Sequence, residues 1–337
     1  MRIKKVISIF IFLLVGMQVF AQQRPQYTQY IFNNYLLNPA ISGIENYIDV
    51  KAGYRNQWVG LSDAPVTSTL SFHAPLGKRF LYGNATSFGG QGNNPMSRSY
   101  VQTYQAAEPH HGVGFNIISD KTGPIARTDV NATYAYHLGL SETLNISVGV
   151  AAGVSRTGLD LSRITLENSA DPAISGDYNR MQPDLGMGVW LYGPRYFFGV
   201  SAQQLLGRPI TFTNDATYTQ GKQVPHYFAT AGYKFFLSDD IAAIPSVMVK
   251  QVSPVPLSMD ANMKIAFQDK FWLGGSYRRN DSFSAMAGFN LGYLFNLSYA
   301  YDFTSSDLRS VSSGSHEVIL GLLLNNKYKV TCPQKNW

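Results

Sequence analysis

The sequence predicts an all-β fold: a transmembrane antiparallel β-barrel of about fourteen strands, preceded by a signal peptide and a short N-terminal helix or plug segment, with the lumen either plugged or conducting. Three observations carry that prediction. In LNISVGVAAGVS, residues 144–155, Leu144, Ile146, Val148, Val150 and Val154 share one parity, and Asn145, Ser147, Gly149, Ala151, Gly153 and Ser155 share the other. This is the period-two signature of a strand. The pattern recurs along the chain without a helical layer to cover the greasy face, as a soluble sheet would require. Charged residues make up only 14% of the chain, against about 25% in soluble domains, while 21 Tyr, 20 Phe and 30 Gly suit aromatic, glycine-tolerant strands.

Residues 1–21 read as a signal peptide, with a basic start (Arg2, Lys4, Lys5), an apolar run from Val6, and small residues Val19 and Ala21 at the cleavage positions. The run is short for a retained span, and no Cys sits at the junction, so cleavage before Gln22 is expected rather than lipidation. Losing those three basic residues takes the formal net charge from +6 to +3, so the basic balance is no argument for nucleic acid. No later stretch reaches the ~18 consecutive apolar residues of a spanning helix; crossing must be by strands. The single Cys, Cys332, cannot form an intramolecular disulfide. It is read as a free thiol in the tail, with an intermolecular bridge as the sharper alternative.

Residues 22–44 form a Tyr/Asn-rich helix-turn segment. Tyr27, Tyr30, Ile31 and Tyr35 fall at helical spacing, with Phe32 among them, and Asn38-Pro39 followed by Gly43 stops the helix. Residues 45–324 form the barrel. Its expected strands are 46–58, 65–74, 110–119, 126–139, 143–156, 182–192, 195–205, 224–237, 240–252, 257–268, 271–280, 283–293, 295–303 and 314–324, most long enough to cross a bilayer tilted. In 126–139 the greasy parity is Val130, Ala132, Tyr134, Tyr136 and Leu138; in 295–303 it is Phe295, Leu297, Tyr299, Tyr301 and Phe303.

Connections give an independent test, because outer-membrane barrels alternate short periplasmic turns with longer outer loops. With the first strand outbound, the turns at 139–142, 192–195, 238–240, 268–271 and 294 are short, while 157–181 and 206–224 are long outer loops. The exception is 75–109, a Gly/Asn/Ser/Gln-rich insertion with Lys78, Arg79 and Arg98. Either it is a periplasmic docking feature, or it hides a hairpin around 80–88 and 99–106. The tail 325–337 falls on the periplasmic side. Trp58, Trp190, Tyr192, Phe271, Trp272 and Tyr293, at strand ends, suit an interfacial girdle.

The inward parity carries Asp49, Lys51, Arg55, Asp129, His137, Asp184, Lys234, Lys250, Asp260, Lys264, Arg278, Asp302 and Glu317. Charge in a lumen must be paired or hydrated, so the interior is either cross-braced or a water-filled polar channel.

Chemistry was sought at four places. Ser315-His316-Glu317 is read as a strand on which His316 faces away from its neighbours, which defeats a Ser–His pair. His110-His111 lacks further ligands at metal spacing and is read as a solvated loop pair. Gly89-Gly90-Gln91-Gly92 lacks the strand–helix context of a dinucleotide loop. Asp160, Glu167, Asp171, Asp177 and Asp184 make an acidic outer stretch without EF-hand order. Neither catalytic residues nor a cofactor or metal is expected.

Several stretches carry a resemblance: PQYTQYIFNNYLLNPAISG (25–43), AGYRNQWVGL (52–61), APVTSTLSFHAPLG (64–77), GVGFNIISDKTGPIARTDVNATYAYHL (112–138) and SYAYDFTSSDLRSVSSGSHEVILG (298–321). In this order they resemble the PorP/SprF family of Bacteroidetes outer-membrane proteins, and the ending TCPQKNW (331–337) resembles members that serve large gliding-motility adhesins. The resemblance implies a non-catalytic, integral outer-membrane component of type IX secretion. Its implied partners are outer-membrane lipid, the translocon and periplasmic components, and secreted cargo with the second kind of C-terminal sorting domain. The chain departs from the family pattern in 76–109. Within that reading, loops 157–181, 206–224 and 303–314 are expected to contact cargo, while 75–109 and 325–337 dock secretion components; a diffusion channel is the alternative.

Overall fold

The computed structural model describes residues 27–77, 104–164, 178–208, 223–268 and 270–326. The expected signal peptide, most of the 75–109 insertion and its alternative hairpin, the tail with Cys332, and the middles of loops 157–181 and 206–224 lie outside the described residues.

Among the described residues, fourteen strands form the barrel. They are β1 (Ile48–Asn56), β2 (Val66–Leu76), β3 (His110–Thr122), β4 (Ile125–Gly139), β5 (Asn145–Leu159), β6 (Asn179–Tyr192) and β7 (Tyr196–Gln203). There follow β8 (His226–Tyr233, resuming at Phe235–Phe236), β9 (Ile241–Val252), β10 (Val255–Phe267), β11 (Phe271–Arg278), β12 (Ser282–Leu291), β13 (Phe295–Thr304) and β14 (Ser315–Leu324). Each pairs antiparallel with its sequence neighbours, and β14 returns to β1 in a register running from Ile48↔Leu324 to Asn56↔His316. The sheet therefore closes on itself and has no edge strand, as a membrane-spanning sheet requires.

Period-two alternation decides which face each side chain takes. Along β4, Asp129, Asn131, Thr133, Ala135 and His137 are buried, and Val130, Ala132, Tyr134, Tyr136 and Leu138 are exposed. The exposed set is the lipid face, which continues through Val148, Val150, Phe198, Met263, Leu273, Phe289 and Leu320. The interruption of β8 has a covalent cause. Lys234 N donates to Arg195 O on the β7 side, so Tyr233 turns its backbone toward β9, where the continuing register sets it opposite Pro245, which has no N–H to offer.

At the long-loop end, the connections brace one another. Arg163 pairs with Asp63, Gly123 N donates to Asp63 O (2.9 Å) and Asp160 N to Pro124 O (2.8 Å). Val59 N donates to Gly314 O (2.8 Å) and Ser313 N to Val59 O (2.7 Å), joining the β1–β2 and β13–β14 loops. At the opposite end, Ala106 N donates to Glu142 O (2.7 Å) and buried Tyr104 takes a hydrogen bond from Asn145 Nδ2 (2.8 Å). The last residues of the insertion thus lie along the β4–β5 turn.

Candidate functional site: the lumen and its plug

Residues 27–47 occupy the lumen, and all but Tyr27 and Asn34 are buried. The expected helix is instead three single 3₁₀ turns, Gln29–Ile31, Asn34–Leu36 and Pro39–Ile41. Asparagines supply the reason, because their side chains compete with helical backbone bonding. Asn33 stands at φ −138°, ψ 63° between the first two turns. Asn38 caps the third by accepting from Ala40 N (3.0 Å), with Pro39 in the first helical position.

The broken backbone can be buried because the wall supplies partners for it. Ser147 Oγ donates to Ala40 O (2.7 Å), Ser201 Oγ to Leu37 O (2.6 Å), and Gln203 Nε2 to Leu36 O (3.0 Å) and Leu37 O (2.8 Å). His137 Nε2 donates to Ser42 O (2.8 Å), which leaves its Nδ1 to accept from Tyr192 O–H (3.0 Å). In return, Asn38 Nδ2 donates to two carbonyls of the wall, Val189 O (3.0 Å) and Val200 O (3.2 Å). Tyr35 and Ser42 both meet Thr133 Oγ1, at 2.7 and 2.8 Å, and Asn33 Nδ2 donates to Ser71 Oγ (2.9 Å).

Three inward glycines let the plug come this close. A Cβ at Gly188 would stand 2.0 Å from Asn38 Oδ1, at Gly149 2.4 Å from Ala40 N, and at Gly112 1.8 Å from Ser42 O. Between the polar contacts runs an apolar core. Tyr30, Ile31, Phe32, Leu37 and Ile41 pack with Trp190, Phe197, Ile244, Met248 and Trp272 of the wall; Trp190, Tyr192 and Trp272, expected in an interfacial girdle, take the inward parity and are buried instead.

Of the thirteen charges assigned to the inward parity, twelve are buried and Lys250 is half-buried. The largest group they form is a latch at the long-loop end. Arg55 donates to Glu317 (2.9 Å), Asp302 (2.7 Å) and Thr28 Oγ1 (2.7 Å). The plug completes it: Thr28 N donates to Glu317 Oε2 (2.8 Å), Thr28 Oγ1 to Asp302 (2.7 Å) and Gln29 N to Glu317 Oε1 (3.3 Å). Arg278 forks onto Asp260 (3.0 to 3.1 Å), reaches Asp281 (3.2 Å) and donates to Tyr27 O (3.3 Å).

The remaining charges are dispersed. Asp129 takes Arg127 (2.9 Å) and Ser155 (2.6 Å); Lys51 pairs with Asp49 (2.6 Å); Lys264 lies over the Trp272 ring at 4.9 Å. Asp184 lines a small chamber with Asn116, Asn131, Thr133 and Gln203. Lys234 is buried beside the β8 interruption. Of the N-terminal motif, Tyr30 bonds Asn262, Phe32 contacts Trp272 with ring centroids 5.9 Å apart, and Tyr27 offers its carbonyl to Arg278.

The reading of His110-His111 as a solvated loop pair is corrected. Both open β3, and strand alternation sends them to opposite faces. His110 is buried between Gly43 O (3.1 Å) and Glu108 O (2.8 Å), stacked on His137 at 4.5 Å. His111 faces outward to Tyr134 O–H (2.6 Å). At the other end, Ser315 and Glu317 point inward and His316 outward to Tyr299 (2.7 Å). Sequence reasoning passed over Glu45 and His73, and misplaced His110. The inward parity shared by His73 with Ser71, and by His110 with Gly112 and Gly114, was the available sign.

Residues 19–322 match the family model described as "Type IX secretion system membrane protein PorP/SprF". No curated protein matches the chain. Among solved structures, the Ralstonia pickettii toluene transporter TbuX is similar at 10% identity, covering 86% of this chain and 92% of that one, with a TM-score of 0.48. The monoaromatic hydrocarbon channel CymD is similar at 11% identity, with 88% and 91% covered and a TM-score of 0.47. The Acinetobacter baumannii outer membrane protein Omp33 is similar at 7% identity, with 84% and 100% covered and a TM-score of 0.43.

Proposed function

Because the chain belongs to the PorP/SprF family and is an integral outer-membrane component of type IX secretion, we propose that it works by binding. On this reading it holds a specific secreted cargo, of the large gliding-adhesin kind with a C-terminal sorting domain, at or near the translocon during export or surface anchoring. The observation that supports this over a diffusion channel is the occupied lumen. Residues 27–47 fill it, tied to the wall by the Arg55 latch and by the carbonyls of Leu36, Leu37, Ala40 and Ser42. With the interior given over to its own chain, contact with partners falls to the two rims. The long-loop rim, including 157–181, 206–224 and 303–314, is assigned to cargo, and the short-turn rim, with 75–109 and 325–337, to secretion components.

The test is affinity purification of the detergent-solubilised native protein with mass spectrometry of what stays bound, repeated after deleting each outer loop. Translocon subunits and a large secreted protein are expected, the latter lost with a loop deletion. Recovery of the barrel alone, with steady conductance in planar bilayers, would replace the adaptor by a channel.

A further inference from the structure

Separate from the latch and from the binding reading above, the short-turn half of the lumen gathers three residues of metal-ligating type. Glu45 lies in the lead-in to β1, Asp49 on β1 and His73 opposite it on β2, in the register Asp49↔His73. All three are buried, and one ligand atom from each lies within 4.8 Å of the others. Glu45 Oε2 stands 3.4 Å from His73 Nδ1, and Asp49 Oδ2 4.0 Å from His73 Nε2. A four-coordinate ion with bonds of about 2.0–2.2 Å has its ligands about 3.3–3.6 Å apart, so the Glu45–His73 Nδ1 edge already has coordination spacing, while Asp49, which lies nearer the other ring nitrogen, has to swing toward Nδ1 to complete the shell. Gly43 N–H points at His73 Nδ1 (3.3 Å), marking that nitrogen as a lone-pair bearer, and it faces a carboxylate oxygen. An ion bound there would take that lone pair in place of the long contact from Gly43 N–H.

Two further features belong to the same place. A cavity of about 30 Å³ is lined by Glu45, Lys51 and His73, together with Ile44, Asn34 and Phe32, room for one ion or one water. Asn296, 0% exposed, has no hydrogen-bond partner on either amide atom among the described residues. Its oxygen lies over Gly321, 1.9 Å from where a Cβ would be, and Gly321 is the cross-strand partner of both Asn296 and Lys51. The amide is thus aimed along the row that holds Lys51. Lys51 Nζ, 2.6 Å from Asp49, supplies one positive charge against two carboxylates.

We infer that Glu45, Asp49 and His73 form a divalent transition-metal site, suited to zinc by its mix of imidazole and carboxylate, with Lys51 as the resident counter-cation that moves to Asn296 when metal binds. The ion would tie the lead-in segment to β1 and β2.

The experiment uses the full-length protein in detergent, stripped with chelator and titrated with Zn²⁺, and separately with Co²⁺ followed by visible absorption. The wild type is expected to take one equivalent and to show cobalt d–d bands. His73→Gln and Asp49→Asn should weaken binding by more than the roughly 10–100-fold that loss of a supporting residue costs, with the bands lost. Lys51→Met should tighten binding, a change that a purely structural ion pair would not produce. Heat-modifiable gel mobility reports that each barrel is folded. Absence of saturable binding in the folded wild type, or equal binding in folded His73→Gln, overturns the inference; so does weaker binding in folded Lys51→Met.

Discussion

Replacing Arg55 by Met should loosen the plug without opening the barrel wall. Arg55 holds Asp302 and Glu317 at 2.7 and 2.9 Å, and all three are buried. Removing one partner of a buried ion network leaves uncompensated charge and costs about 3–5 kcal/mol. Thr28 N and Gln29 N still donate to Glu317, which sets the expected value at the lower end. The cost falls on the docked state alone, because with the plug withdrawn the two carboxylates are hydrated. At 1.36 kcal/mol per tenfold, a loss of about 3 kcal/mol raises the undocked fraction about 160-fold. A thiol at Ser71 reports that fraction. Ser71 is 2% exposed and covered by Asn33, which donates to it at 2.9 Å, so a reagent reaches the position only when the plug leaves. The sole native cysteine is Cys332, so Cys332→Ser and Ser71→Cys form the background, and labelling rate under fast reclosing follows the opening equilibrium. Adding Asp302→Asn and Glu317→Gln to Arg55→Met removes the stranded charge and should bring the rate back to within about tenfold of the background. If Arg55→Met labels at the background rate while gel mobility shows a folded barrel, the latch does not hold the plug and the reasoning fails.

The same reporter checks two other contacts, and liposome folding checks the wall. Gly188→Ala places a Cβ 2.0 Å from Asn38 Oδ1 and should cost about 1–3 kcal/mol of docking by overpacking, seen as faster labelling; Gly275→Ala, whose nearest neighbour is 3.8 Å away, should leave the rate unchanged. Asn38→Ala strips donors from Val189 O and Val200 O and the cap from Ala40 N, for a loss of about 1–3 kcal/mol and labelling about 5- to 160-fold faster. Val150→Arg on the lipid face, where Val150 is 52% exposed, should destabilise the folded barrel in liposomes by about 2–4 kcal/mol near the bilayer midplane, measured as a lower urea midpoint. A midpoint equal to wild type would mean that this face does not meet lipid.

Each of these contacts joins elements far apart in the chain, and that separation divides what the sequence made legible from what it did not. Alternation is local: Val148, Val150 and Val154 against Ser147, Gly149 and Ser155 announce a strand and its two faces within a dozen residues, and short turns then fix the parity of the next strand. The wall was therefore readable. Helical spacing at Tyr27, Tyr30, Ile31 and Tyr35 misled because in a buried plug the apolar positions answer to a surrounding wall rather than to one side of a cylinder. His110 misled because the polar insertion beside it was allowed to outweigh the strand expected from residue 110, whose alternation alone sends His110 and His111 to opposite faces.

What no local pattern carries is which inward residue meets which plug residue. Thr28 and Glu317 are separated by 289 positions, and nothing near either one names the other. One trace did exist in the parity itself. A lumen that holds only water has no reason to place glycine on the inward positions, where polar side chains cost nothing, and glycine weakens a strand interior. Yet Gly112, Gly114, Gly149 and Gly188 occupy inward positions on β3, β5 and β6, facing Ser42, Tyr35, Ala40 and Asn38 in turn. An apolar face alternating with glycine on the inward parity of three barrel strands is thus a sequence-level mark of a lumen that holds backbone at close range. By that argument, exchanging such glycines for serine, as polar and nearly as small, should still expel the plug, because the obstacle is the Cβ atom and not the polarity of what it carries.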